Sequence, residues 1–166
     1  MPTTAIKNEA VERHARAIGI DESVRKTTCE ALNLILADYH IYYQNLRGLH
    51  WNIRGRLFFS LHPKFEELYD EAALHIDEIA ERILSLGFMP THSLKDYLQN
   101  ARLKETPTVS QDSAAVLALM DNIEKLIRYL RETKETVDAG TEDQLIGYLR
   151  AHEKTIWMFA AYLDKD

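Results

Sequence analysis

Two histidines and three acids, His50, His62, Glu66, Asp77 and Glu81, lie in the stretch HWNIRGRLFFSLHPKFEELYDEAALHIDEIAE. His62 and Glu66 are one helical turn apart, as are Asp77 and Glu81, so on a helix each pair shares a face. Imidazole nitrogen with carboxylate oxygen is a ligand mixture suited to iron, manganese or zinc. Glu66 and Asp77, however, are separated by roughly 16 Å of helix at about 1.5 Å per residue, whereas metal–ligand bonds are about 2 Å. One copy of the helix therefore cannot wrap both pairs around one ion. Two antiparallel copies can, because the numbers of His62 and Glu81 have the same sum as those of Glu66 and Asp77. Both pairs then come level about a single dyad between Glu71 and Ala72, where Ala72 and Ala73 are small enough to let the helices approach. The spacing predicts two equivalent metal sites, each shared between the subunits of an isologous dimer. A solvated face with weak ion pairs would explain either pair alone. It does not explain the matched register, or His50 just ahead of the turn.

The rest of the chain must supply helices that carry these groups. At 166 residues, 46% apolar and 28% charged, with four prolines and six glycines, it reads as one mostly helical domain. Residues 1–20 form a short polar lead-in and residues 21–166 a helical bundle. Thr28, Leu32, Ile35, Tyr39, Tyr42, Leu46 and Leu49 mark a first long helix from Asp21 or Ser23 to His50. A turn centred on Gly55 follows. Ser60 is the expected N-cap of the second helix, with Pro63 in its first turn. Phe65, Leu68, Ala72, Ile76, Ile79, Ile83 and Leu86 form the core stripe of that helix, and Gly87 ends it. Residues 88–107 are too long for a tight hairpin and predict a crossover, with a short helix over 93–101. The third helix is expected from Thr108, in a capping box with Gln111, towards Ala139, with Gly140 ending it. Thr141 with Gln144 makes a second capping box that opens the fourth helix, striped by Leu145, Leu149, His152, Ile156, Phe159 and Leu163. His152 reads as a satisfied core histidine, His75 as structural, His40 as surface or inner wall, and His14 and His92 as exposed.

The single cysteine, Cys29, forms no internal disulfide and reads as a small buried or half-buried hydrophobe. No basic, apolar, small-residue series opens the chain, and no apolar run approaches the ~18 residues of a membrane span. A soluble cytoplasmic protein with no membrane partner is the expectation. Lys7, Arg13 and Arg16 of the lead-in are offset by Glu9 and Glu12, and the formal net charge is −6. Non-specific phosphate attraction has no obvious anchor, so DNA binding is expected to be weak or absent.

The anchors LHWNIRG, FFSLHPKFEELY, IDEIAERILSLG and IWMFAAYL, spread over essentially the whole chain, resemble the Dps mini-ferritins, the DNA-protection-during-starvation proteins of the ferritin-like superfamily. The resemblance implies an all-α, ferritin-like four-helix bundle with a long crossover carrying a short helix between the second and third helices. The crossover alone already points to that connectivity. It also implies that His50, His62 and the carboxylate at Glu66 come from one subunit and Asp77 and Glu81 from its dyad mate, in agreement with the register. In the family the residue four after the second histidine is usually Asp; here Glu66 adds a methylene. Trp51 reads either as plain packing or, as the resemblance implies, as a redox-active aromatic beside the iron site that intercepts oxidising equivalents.

The implied activity is that of a ferroxidase. Fe(II) is oxidised, preferentially by hydrogen peroxide, and Fe(III) is stored in a hollow dodecamer of two-fold dimers. Zinc or manganese suits the same ligands. None of the seven histidines has a glutamate three residues before it, which argues against the Glu-x-x-His site of ordinary ferritins. The alternative reading is a DNA-compacting structural protein with an incidental zinc or manganese site at the dimer interface, which a lysine-rich extension would favour. For iron uptake the candidates are Asp138, Glu142 and Asp143, since clustered carboxylates draw cations through a narrow channel. Asp143 falls where similar Dps sequences place a pore aspartate. Acids in a helix's first turn also stabilise its dipole without any pore.

Overall fold

Apolar residues at alternating spacings of four and three demand long helices, and the computed structural model, which describes residues 3–164, contains four of them. The first two residues of the expected lead-in and the last two of the expected bundle lie outside the described residues. In order the helices are α1 (Glu9–Ala17), α2 (Glu22–Asn52), α3 (Phe58–Ser85), α4 (Leu94–Asn100), α5 (Asp112–Lys134) and α6 (Ala139–Leu163). The long helices α2, α3, α5 and α6 form the bundle: α2 packs chiefly along α3 and α5 along α6. Leu32, Ile35 and Leu46 of α2, Phe65, Ile79 and Ile83 of α3, Val116, Ile123 and Leu126 of α5, and Leu145 of α6 meet in one core. Among the described residues no helix is long and apolar enough to cross a membrane, and the β structure is a single bridge, Ala5 opposite Phe88.

The end of α3 follows the expectation. Gly87 has φ 89°, and the amides of Gly87 and Phe88 donate to the carbonyls of Leu84 and Ile83, the paired bonds of a glycine-terminated helix. Buried Arg25 adds a bond from Nη1 to the Leu86 carbonyl at 2.8 Å. The lead-in docks beside this end: Ile6 donates to the Gly87 carbonyl and Met89 to that of Thr4. Asn8 then caps α1 by accepting from Ala10 and Val11.

Other boundaries differ from the expectation. α3 starts at Phe58, with Leu57 at the N-cap, so Ser60 is inside the helix and its hydroxyl turns back to the Leu57 carbonyl. Pro63 is therefore the sixth residue rather than a first-turn residue. The helical donor it removes is the one for Phe59, which stands 89% exposed. α5 starts at Asp112, with Gln111 as N-cap and no Thr108 capping box. The chain before it is held extended, because Arg54 donates to the Ser110 carbonyl at 2.9 Å. α5 also stops at Lys134, short of Ala139. Asp138, not Thr141, caps α6: its carboxylate accepts from the amides of Gly140 and Thr141 and from the Thr141 hydroxyl. A carboxylate there is the stronger cap, and it wins. Gly140 ends nothing. It admits Arg82, whose Nη2 would lie 3.1 Å from a Cβ at that position.

The crossover is strapped to α2. Asp38, fully buried, accepts from the Arg102 guanidinium at 2.7 and 2.9 Å and from the amides of Arg102 and Leu103. Asn45 donates to the Lys104 carbonyl and accepts from the Thr106 amide. His40, half-buried, stacks on Tyr97 of α4 at 3.8 Å.

Candidate metal centre

The turn between α2 and α3 folds the chain back so that the end of one helix meets the start of the next, and Gly55 makes this possible at φ 112°. His50, from the last turn of α2, and His62, from α3, come face to face with ring centroids 3.7 Å apart. Nδ1 of His50 lies 2.8 Å from the carbonyl of His62, and Nδ1 of His62 lies 2.9 Å from the carbonyl of His50. A carbonyl can only accept, so each Nδ1 carries a hydrogen, and Nε2 is the ring nitrogen left over for an outside ligand. Neither Nε2 is used in a hydrogen bond among the described residues. A metal-binding histidine commonly has its other nitrogen tied down in this way, which fixes ring direction and tautomer.

Aromatic rings surround the pair. Phe58 stacks on His62 at 4.7 Å, and Tyr69 stands edge-on to His50 at 5.4 Å. The Tyr69 hydroxyl donates to Oε1 of Glu66 at 3.2 Å, which ties the exposed carboxylate to the ring beside His50. Tyr69 and Phe58 were not singled out from the sequence. Tyr69 is three residues after Glu66 and seven after His62, a helical spacing that could have revealed it. Trp51 is 57% exposed, with the Arg47 guanidinium 4.5 Å from its ring centroid.

Asp77 and Glu81 stand exposed one turn apart on α3, away from the histidines. Among the described residues no three or more His, Cys, Asp and Glu side chains converge within one chain. The exposed stripe of α3 runs through Glu66, Asp70, Ala73, Leu74, Asp77 and Glu81. Ala72 is buried in the core, as its place in the core stripe requires, and is therefore not at the dyad; Ala73 and Leu74 occupy the middle of the outer face. Burial of Glu71 raises its carboxyl, with Lys64 opposing.

The three uptake candidates differ from one another. Asp138 is committed to Arg82, whose Nη2 donates at 2.7 Å, and to the α6 cap. Burial pushes its carboxyl up, but the Thr141 hydroxyl and amide, the Arg82 charge and the Gly140 amide hold it below its ordinary value. Glu142 lies 3.7 Å from Lys134. Asp143 is exposed and lines an open groove between α3 and α6 with Glu78, Glu81 and Arg150.

His152, His75, His14, His92 and the cysteine fall as the sequence indicated, whereas His40 is half-buried under Tyr97 of α4. His152 is buried and lies 2.8 Å from the Tyr39 hydroxyl, His75 is buried beside it, and His14 and His92 are exposed. Burial pushes the Cys29 thiol up to about 12, leaving it an inert core residue.

The family model for the ferritin-like domain matches residues 29–166. A DNA protection during starvation protein from Porphyromonas gingivalis is 39% identical over 151 residues, 89% of this chain and 95% of that one. DNA protection during starvation protein 2 of Bacillus anthracis is 38% identical over 146 residues, 86% of this chain and 100% of that one. Among solved structures, the Dps protein of Vibrio cholerae, described as one of the ferritin-like diiron-carboxylate proteins, superposes with a TM-score of 0.84 at 41% identity. That match covers 89% of this chain and 95% of the other. A Dps protein from Bacillus brevis gives 0.83 at 34% identity, over 87% and 100%.

Proposed function

This chain belongs to the Dps mini-ferritins of the ferritin-like superfamily, and from that premise we propose that it binds Fe(II) as substrate, oxidises it with hydrogen peroxide and stores the Fe(III) in a hollow homododecamer. The observation that carries this reading is the interlocked pair of His50 and His62. Both rings keep Nε2 free while Nδ1 is held, and Glu66 supplies an anionic oxygen one turn along α3. Two imidazoles and one carboxylate leave coordination positions open for the oxidant. Asp77 and Glu81 of a two-fold mate complete the set, and their oxygens favour the ferric product. Exposed Leu74, 66% accessible in the middle of the acid-bearing stripe, supports burial of this face against a second copy. Trp51 stands next to His50 in the chain and is readily oxidised, so it can give up an electron to a reactive species that escapes the centre. Peroxide consumed at the centre no longer reacts with free Fe(II) to make hydroxyl radical.

Zinc or manganese would compete for the same ligands. Asp143, with Glu142 near it, draws cations toward the cavity, while Asp138 serves the helix cap. Binding to DNA is weak or absent: the net charge is −6, and the lead-in is tied to Gly87 and Met89 rather than presenting a basic arm.

Subunit complementation tests the shared site. A His62→Ala variant and an Asp77→Ala variant should each be inactive. Mixed and allowed to exchange subunits, they should regain peroxide-dependent Fe(II) oxidation, because one of the two sites in each heterodimer then draws only on unaltered positions. No recovery after verified exchange would overturn the reading.

A further inference from the structure

The middle of the bundle holds a second group of side chains capable of chemistry that the iron reaction does not use. Tyr39 and Tyr42 of α2, His75 of α3, and Tyr148 and His152 of α6 meet there. The Tyr39 hydroxyl lies 2.8 Å from Nε2 of His152, and both groups are buried. Burial holds His152 down to about 3 and raises Tyr39 well above its ordinary value, so near neutral pH both are uncharged. The arrangement that satisfies both groups has the phenol donating to the imidazole lone pair.

Further aromatic rings stand between this pair and the candidate metal centre. His50 meets Tyr69 at 5.4 Å, Tyr69 meets Tyr43 at 5.9 Å, Tyr43 adjoins Tyr42 in the chain, and Tyr42 meets Tyr39 at 6.2 Å. On the other side His75 lies 4.0 Å from the Tyr148 ring, and the Tyr148 hydroxyl donates to Glu78 at the surface of α3.

We propose that Tyr39 and His152 form a buried redox pair, reached through these rings, which takes up oxidising equivalents that would otherwise damage the shell. In the step, Tyr39 loses one electron to a one-electron oxidant and its O–H bond breaks. The proton passes to Nε2 of His152, where an N–H bond forms, leaving a neutral tyrosyl radical hydrogen-bonded to an imidazolium. The oxidant is reduced by one electron, and later reduction of the radical returns the proton. The natural oxidant is of the hydroxyl-radical class formed from peroxide and Fe(II), and that source rests on the function proposed above; the pair itself does not.

The test therefore omits iron. Intact iron-free protein is oxidised with a photo-excited ruthenium polypyridyl complex and persulfate, freeze-quenched, and followed by electron paramagnetic resonance. The expected result is a long-lived tyrosyl signal with a coupled hydrogen-bond proton that exchanges in D2O. Tyr39→Phe should lose this signal, whereas Tyr148→Phe, in the same cluster but not bonded to His152, should keep it. Survival of the signal in Tyr39→Phe would overturn the pair, and its hydrogen bond would be structural only. Absence of an exchangeable coupled proton in the unaltered protein would do the same, and that measurement decides even if the variant fails to fold.

Discussion

Two pairs of histidines occupy one bundle, and they are built to opposite ends. His50 and His62 stack at 3.7 Å near the α2–α3 turn, each with Nδ1 bound to a carbonyl and Nε2 left over. His75 and His152 stand edge-on at 6.3 Å in the interior, with Nε2 of His152 taken by Tyr39. Residue type is the same and both pairs touch tyrosine. The difference is which nitrogen is committed, and to what. A backbone acceptor leaves a lone pair for an outside ligand, whereas a buried phenol uses the lone pair and keeps its proton within reach. Proximity of two histidines therefore indicates little until the partners of each ring nitrogen are known.

The largest effect expected from this contrast is at the turn. His50→Ala combined with His62→Ala should reduce Fe(II) oxidation, after anaerobic peroxide addition in a stopped-flow experiment, to the rate without protein, while the oligomer stays folded. A parental rate would break the contrast at once. In the interior the penalty should appear in stability instead. His152→Ala removes a packed ring and strands the Tyr39 hydroxyl, and should lower the unfolding free energy by about 2–5 kcal/mol in denaturant titrations. A loss well below that would mean the interior pair is not a packed structural unit.

Acid should act on the interior pair in a defined direction. His152, held at about 3 in the folded state, and His75, lowered by burial, both bind protons more readily when unfolded. Stability should therefore fall as pH drops from about 6.5, the ordinary histidine value, toward 3, because the unfolded state takes up more protons across that window. His152→Gln should flatten the slope of melting temperature against pH; an unchanged slope would remove His152 as its source. Asp138, with its carboxyl held low, contributes stability that is present above the ordinary carboxylate range and lost as pH falls through its lowered folded value.

The smallest effects carry the same distinction, committed against free, to the acids before and in α6. Asp138→Ala should destabilise by about 0.5–2 kcal/mol through the lost cap. Asp143→Asn should slow iron uptake at low ionic strength with little change in melting temperature. If Asp143→Asn instead lowers stability by about 0.3–1 kcal/mol and leaves uptake alone, Asp143 is a dipole partner.

The long helices and the crossover were legible in the sequence because they rest on periodic burial, which leaves a trace at every turn. The starts of α3, α5 and α6 were not, since a cap is decided by three-dimensional competition. Asp138 outcompeted Thr141 because it also meets Arg82 from another helix, and Gly140 looked like a terminator when its role is to make room for that guanidinium. At the candidate centre, spacing alone named His50, His62, Glu66, Asp77 and Glu81. The carbonyl bonds that free each Nε2 join residues twelve positions apart across a turn, and no periodicity encodes them. Ala72 carried two assignments, core stripe and dyad, and only the first holds, because a dyad drawn from residue numbers fixes height along an axis but not rotation about it.

The Asp38 strap bears on how the chain withstands proteases. A segment the length of 88–107, lying over the bundle with one short helix, is the kind of exposed connection at which cleavage usually begins. A protease needs several consecutive residues to leave their places and extend into its cleft. Here Arg102 and Leu103 are pinned by a buried carboxylate, and Lys104 and Thr106 by Asn45. Nicking of the crossover must wait until α2 itself loosens, so digestion should report the opening of the bundle rather than local fraying.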